Sequence, residues 1–164
     1  MIKLETFDLA SPFLRGLLAH GTDMAPLMAR IGAALVSLVQ LNFRSSASPY
    51  GVSWAALKLR QGQPLRDTGA LMNSITYQRE TGSVVIGPGF GPSSKGAAVQ
   101  QFGATIKAKG KLLAFKPRGS SRWIFARQVK VPARQYLPTR AQGLPDAWVR
   151  SILSETAAYL MEAA

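Results

Sequence analysis

The 164-residue sequence predicts an α+β fold, a small antiparallel sheet of hairpins packed with a long N-terminal and a C-terminal amphipathic helix. Three observations lead there. Apolar residues recur at helical spacing near both ends of the chain. Between them, β-branched and aromatic stretches are separated by short glycine-containing turns. The resulting order is helix, hairpin, short helix, further hairpins, helix.

The first helix follows a short N-terminal arm, residues 1–21, that contains Pro12. Thr22 and Asp23 offer a cap, and Met24, Leu27, Met28, Ile31, Leu35 and Leu38 then recur at steps of three and four, with Arg30, Ser37, Gln40 and Arg44 on the other side. This is an amphipathic helix of about 20 residues that tolerates Pro26 in its first turn. It gives way near Arg44 to the small, polar and turn-forming residues 45–51, a loop pinned to the core by Trp54 and Leu57.

Asp67 or Thr68 can cap a short turn carrying Leu71 and Met72. Ile75–Glu80 and Val84–Gly87, joined by Thr81-Gly82-Ser83, read as a β-hairpin. The stretch from Gly87 to Pro92 is a poor phosphate loop, since two prolines interrupt it and no G-K-[ST] follows; it reads as a connector. Ala97–Phe102 forms a short helix closed by Gly103. Three strand candidates follow, Thr105–Ala108, Leu112–Lys116 and Trp123–Val131, and Pro132 stops the last because proline cannot continue a ladder. From Pro145 and Asp146, the helical spacing of Trp148, Ile152, Tyr159 and Leu160 defines the closing helix. No repeat or low-complexity tail divides the chain, so residues 1–164 read as a single domain.

Charge is unevenly distributed. Lys and Arg number 20 against 8 Asp and Glu, a net charge of +12. From Thr81 to Pro145 there is no acid, while eleven of the bases lie in that span. An excess confined to one continuous stretch of 65 residues points to an acidic partner. Lys107, Lys109, Lys111, Lys116, Arg118 and Arg122 cluster around two predicted hairpin tips. Arg134, after the last strand, is aimed at the surface, either in an intersubunit or intrachain ion pair or in a partner contact.

Residue usage narrows the chemistry. With no Cys there is no thiol nucleophile, thiolate zinc site or disulfide. The one histidine, His20, reads as a surface or loop residue, and no two acids take a metal-ligand spacing. Paired-acid hydrolysis by Asp67 and Glu80 would require folding to bring them together. No enzyme activity, cofactor or metal is expected. The start of the chain lacks the continuous apolar stretch of a signal peptide, and no uninterrupted apolar run reaches the ~18 residues of a membrane span, so no membrane partner is expected.

Five segments occur in a recognisable order: Pro49-x-Gly51-x-x-Trp54-x-x-Leu57, Leu65 to Ile75 with Asp67-Thr68-Gly69, Val85-Ile86-Gly87, Gln101-Phe102-Gly103-Ala104, and Val131 to Leu137 with Pro132-Ala133-Arg134. Set between a leading and a closing helix, they resemble the virion-morphogenesis, or tail-completion, proteins of Mu-like tailed bacteriophages, over roughly residues 20 to 162. On that resemblance residues 22–164 are a virion-morphogenesis-like domain. The segment between Leu57 and Leu65 is shorter than in the family, and Ala97-Ala98 stands where members often carry an aromatic-alanine pair.

The resemblance implies a structural, non-catalytic virion component, assembled in the host cytoplasm and acting at the head–tail junction as tail-completion, neck or tail-terminator protein. The implied partners are further copies of itself in a ring, sixfold to match a tail tube, together with tail-tube or head–tail connector proteins. Non-specific contact with DNA in the lumen is a further possibility. The rival reading is a basic nucleic-acid-binding protein. Against it, Phe115, Trp123 and Phe125 fall at alternating strand positions that suit a core, and no known nucleic-acid motif is present. Within the family segments, Gly69 is expected to permit close backbone approach, Phe102 to enter the core beside a left-handed Gly103 cap, and Tyr136-Leu137 to pack under the last helix.

Overall fold

A computed structural model describes residues 21, 23–80, 82–89, 96–117 and 119–162. The N-terminal arm with Pro12 and His20, the Thr22 cap, most of the Gly87–Pro92 connector and Arg118 fall outside the described residues.

Helix α1, Ala25–Ser45, is the axis of the fold. Asp23 Oδ1 accepts the Ala25 N–H at 3.0 Å, satisfying one of the amides that the first turn leaves without a helical partner. Leu27, Ile31, Leu35, Val39 and Phe43 recur every fourth residue on the buried face, and Val39 and Phe43 are completely buried. Ser46 ends the helix in the left-handed conformation, φ 54°, with its N–H on the Asn42 carbonyl. By length and composition alone α1 could cross a membrane. In this fold its apolar face is the core, and Arg30 on the other face pairs with Glu162 at 2.5 Å.

The loop after α1 is tied down as expected. Ser48 Oγ accepts the N–H groups of Tyr50 and Val52, and the Trp54 N–H reaches the Ser46 carbonyl. Trp54 lies edge-on to Phe43, ring centroids 5.6 Å apart, and its Nε1 donates to the Gln135 carbonyl at 2.9 Å. The indole therefore joins a segment rich in small residues to the core and to the chain 81 residues later.

A single helical turn, α2, Ala70–Asn73, follows Gly69 at φ 76°. Thr68 Oγ1 accepts the Ala70 N–H. Gly69 is needed for its backbone conformation rather than for close approach, because a Cβ there would meet nothing nearer than Asn73 Nδ2 at 3.6 Å. The hairpin of β1, Ile75–Glu80, and β2, Ser83–Pro88, has the predicted bounds within a residue and turns at Gly82, φ 73°. It packs against α1 on the side of Gly32.

Helix α3, Ala97–Phe102, leads through Gly103 into four short strands: β3, Ala104–Lys107; β4, Leu113–Phe115; β5, Ile124–Ala126; and β6, Gln128–Val131. The stretch Trp123–Val131, predicted as one strand, breaks at Arg127 and changes partner there. β6 pairs antiparallel with β3, and β5 with β4. Residues 108–112 therefore stand opposite Arg127 alone, whose carbonyl accepts the Ala108 N–H at 2.9 Å. The two ladders are one long ribbon with a large bulge, and a bulge of this kind bends the strand that carries it. The antiparallel pairing is thus distributed over separate two-stranded ladders, β1–β2, β3–β6 and β4–β5.

Helix α4, Asp146–Met161, closes the fold against α1. Trp148 and Tyr159 are buried, and the Tyr159 hydroxyl donates to the Asp23 carbonyl at 2.7 Å, fastening the two helices end to end.

Candidate functional site

Two features stand out: a clamp around Arg134, and the ribbon that leaves it. Beyond Pro132 the chain runs past α3, where the Arg134 N–H donates to the Gln100 carbonyl at 2.7 Å. The expected surface arginine is corrected here. Arg134 is 7% exposed and turns inward, Nε and Nη2 donating to the Ala55 carbonyl at 3.0 and 2.9 Å, with Nη2 also 3.4 Å from the Ala56 carbonyl. Those carbonyls belong to an irregular segment with no ladder to pair them, and the buried guanidinium in turn needs acceptors for its donors; its planar fork brings two donors from one side chain. Burial, and then the charge of Arg60, draw the guanidinium pKa down.

Gln101 does the same work from α3. Its Oε1 accepts the N–H groups of Tyr136 and Leu137 at 2.9 and 3.1 Å, and its Nε2 donates to the Leu137 carbonyl at 2.8 Å. Gln101, not Phe102, is the residue turned inward: Gln101 is 4% exposed and Phe102 69%. Gly103 has positive φ, 74°, but an extended ψ of 165°, so it is not a left-handed cap. A Cβ there would stand 2.9 Å from the Ala133 nitrogen, which is why the base of the ribbon requires glycine. Tyr136 packs on Phe43 of α1, ring centroids 5.3 Å apart, in the same core cluster as Trp148 and Tyr159 of the last helix.

Beside the clamp lies a cavity of about 430 Å³ lined by Leu57, Arg60, Leu65, Asp67, Gln100 and Arg134. Leu65 takes a left-handed φ of 58°, and Gln100 Oε1 is buried with no hydrogen-bond partner among the described residues. Asp67 lines this cavity whereas Glu80 ends β1 beside the hairpin turn, next to Ser83, so the two acids serve different places. Among the described residues no three His, Cys, Asp or Glu side chains gather in a way that could hold a metal ion.

The ribbon carries most of the predicted basic residues. Lys107 ends β3, Lys109 and Lys111 lie in the bulge, and Lys116 and Arg122 flank the tip; all five are exposed, as are Arg127 and Lys130. Arg134 stands apart at the base, buried. No acid occurs anywhere along residues 104–131. The ribbon strands pair with one another and have no large interface with the helices.

Sequence reasoning missed the aromatic character of this surface. Trp123 and Phe125 are not core residues but 59% and 63% exposed. Phe125 is paired with Ala114, and residues two apart in a strand share a face, so Trp123, Phe125 and Lys116 lie on the same side. Ile106, Leu113, Phe115 and Val129, with Ala114, enclose an apolar hollow of about 310 Å³. Alternation was visible in the sequence; nothing in it showed that a ribbon of two strands has no layer to cover it.

The family model for phage virion morphogenesis matches residues 8–161, which include both the clamp and the whole ribbon. The chain belongs to the phage virion morphogenesis family. It is also similar to Mu-like prophage FluMu G protein 2 of Haemophilus influenzae, 36% identical over 94 residues. That match spans 57% of this chain and 62% of the relative's length. No solved structure matches significantly. This virion morphogenesis family is a structural family, not an enzyme family. Three of the segments on which the resemblance rests meet in the clamp: the Trp54 segment and the Val131–Leu137 segment through Trp54 and Arg134, and the Gln101 segment through its amide.

Proposed function

We propose that this protein is a structural component of a tailed phage virion at the head–tail junction, present as a homo-oligomeric ring, most simply sixfold to match a tail tube. It joins tail-tube or head–tail connector proteins as a tail-completion, neck or terminator factor, and it is assembled in the host cytoplasm. The observation that carries the reading is the acid-free ribbon. Its lysines and arginines have no carboxylate on the same element, and they stand on an exposed surface together with aromatic side chains. Such a surface is suited to a contact made during assembly. Family membership supplies the setting, virion morphogenesis.

A phage deleted for the gene tests this. The reading expects full heads and tails that accumulate unjoined, and joining restored by adding the protein to the extract. Normal yields of infectious particles would contradict it.

One observation favours a second reading. Exposed Trp123 and Phe125 among lysines are also what a sequence-tolerant single-strand binder presents, bases stacking on the rings while cations track the phosphates. A titration with oligonucleotide at several salt concentrations separates the two: tight binding with a steep salt slope favours nucleic acid.

A further inference from the structure

Arg134 uses only part of its guanidinium in the clamp. Nε and Nη2 are taken by the Ala55 and Ala56 carbonyls, and Nη1 makes no hydrogen bond among the described residues. The only buried side-chain atom without a partner there is Gln100 Oε1, so Nη1 is not sealed off and reaches the open space of the cavity that Arg134 lines. A donor pair on a charged group is thus held ready at the wall of a cavity of about 430 Å³.

Every acceptor that Arg134 has is a neutral carbonyl, and a cation taken out of water is offset fully only by a partner of opposite charge. Here the neighbouring charge has the same sign. Arg60 lines the same cavity, held to its own loop by the Gln61 and Gln63 carbonyls, and its charge bears on Arg134. Asp67 also lines the cavity, but it has a partner of its own and makes no ion pair with either arginine. The rest of the wall is apolar, with Leu57 and Leu65, and Leu65 keeps a left-handed backbone that a leucine adopts only where its surroundings hold it.

We propose that this cavity is a docking site for an acidic peptide segment of another protein, a Glu or Asp side chain reaching Arg134 Nη1 and Arg60 while the apolar residue before it packs on Leu57 and Leu65. A guanidinium and a carboxylate form charge-assisted hydrogen bonds, and the leucines suit the side chain next to the acid. Recess selects the carrier of the charge. Arg134 is only 7% exposed, so its ligand must arrive at the end of a narrow arm. A side-chain carboxylate is such an arm, whereas the phosphate of a duplex is flanked by sugars and by its neighbours on the strand. A chain of net charge +12 also favours an acidic partner over a basic one. The site is apart from the ribbon and does not depend on the ring.

Saturation-transfer NMR on the full-length protein tests it, with acetyl-Gly-Leu-Glu-Gly amide as the probe and its Gln analogue as the neutral match. The Glu peptide is expected to bind saturably and about tenfold more tightly than the Gln peptide, the worth of one hydrogen bond between charged groups. Arg60→Gln removes one cation, and Leu57→Trp fills the cavity while keeping both; each is expected to weaken the Glu peptide about tenfold, with folding checked by circular dichroism melting. If one variant unfolds, the other decides. Equal binding of the two peptides, no saturable binding, or full affinity in a folded variant overturns the inference. Binding that is lost only when Lys107, Lys109, Lys111 and Lys116 are replaced with Ser puts the carboxylate on the ribbon and overturns it too. So does inorganic phosphate that displaces the peptide at concentrations below the peptide's own, which would make this a phosphate site.

Discussion

Gly32 of the first helix and Tyr77 of the first strand occupy the same space: a Cβ on Gly32 would stand 2.4 Å from Cδ2 of the tyrosine ring. Helix and hairpin meet at this distance because position 32 has no side chain. Replacing a mid-helix glycine by alanine ordinarily gains about 1 kcal/mol, whereas overpacking a tight contact costs about 1–3 kcal/mol. Gly32→Ala is therefore expected to lower the melting temperature of the native chain and to raise it in a Tyr77→Ala background. The same sign in both backgrounds, read by thermal melts of the four chains, would show that the ring yields freely.

Gln101 holds three backbone groups of residues 136 and 137 through one amide. Gln101→Leu keeps the size and adds apolar surface, yet it leaves those groups without partners, at about 1–3 kcal/mol for each buried group. Urea denaturation is expected to show a loss of several kcal/mol in total, larger than for Phe102→Ala at the exposed neighbouring position. Equal losses would mean that water replaces the amide.

These two positions also mark where the sequence stopped being legible. The helices could be read because a 3.6-residue period is local, as the fourfold recurrence from Leu27 to Phe43 shows, and the β1–β2 hairpin because its turn is short. Whether Gln101 or Phe102 faces inward depends on which backbone groups arrive 35 residues later, and apolar rank then points to the wrong neighbour. Arg134 is misjudged for the same reason, since its partners are carbonyls at 55 and 56. The break at Arg127 depends on a change of register, which alternation within a single strand does not record. The basic cluster could be read, but its aromatic companions Trp123 and Phe125 could not be told from core residues.

Tyr136 makes stability sensitive to alkali. Its hydroxyl is buried, donates to the Ala97 carbonyl at 3.3 Å, and has its pKa raised above the ordinary value of 10.0 by burial. The raised folded-state value means that the unfolded chain releases the proton first. The contribution is complete below pH ~10 and is lost as pH rises from there through the folded-state pKa. Tyr136→Phe should flatten this part of the stability profile, seen in denaturation midpoints measured from pH 8 upward. An unchanged slope would assign the alkaline loss to other groups.

The exposed bases of the ribbon should be dispensable for folding. Replacing Lys107, Lys109, Lys111 and Lys116 with Ser removes like charges from one element and breaks no ion pair within it, so the melting temperature should hold or rise slightly. Joining of heads to tails in an extract should fall with the same variant. Full joining activity would make these charges a solubilising face.

The most direct measurement is an image of the assembled particle at a resolution that traces the chain. The account predicts a ring of this protein between head and tail, with the basic ribbon at a protein contact and Trp123 and Phe125 covered. Its absence from the finished particle, or single unlinked copies with the ribbon exposed to solvent, would contradict it.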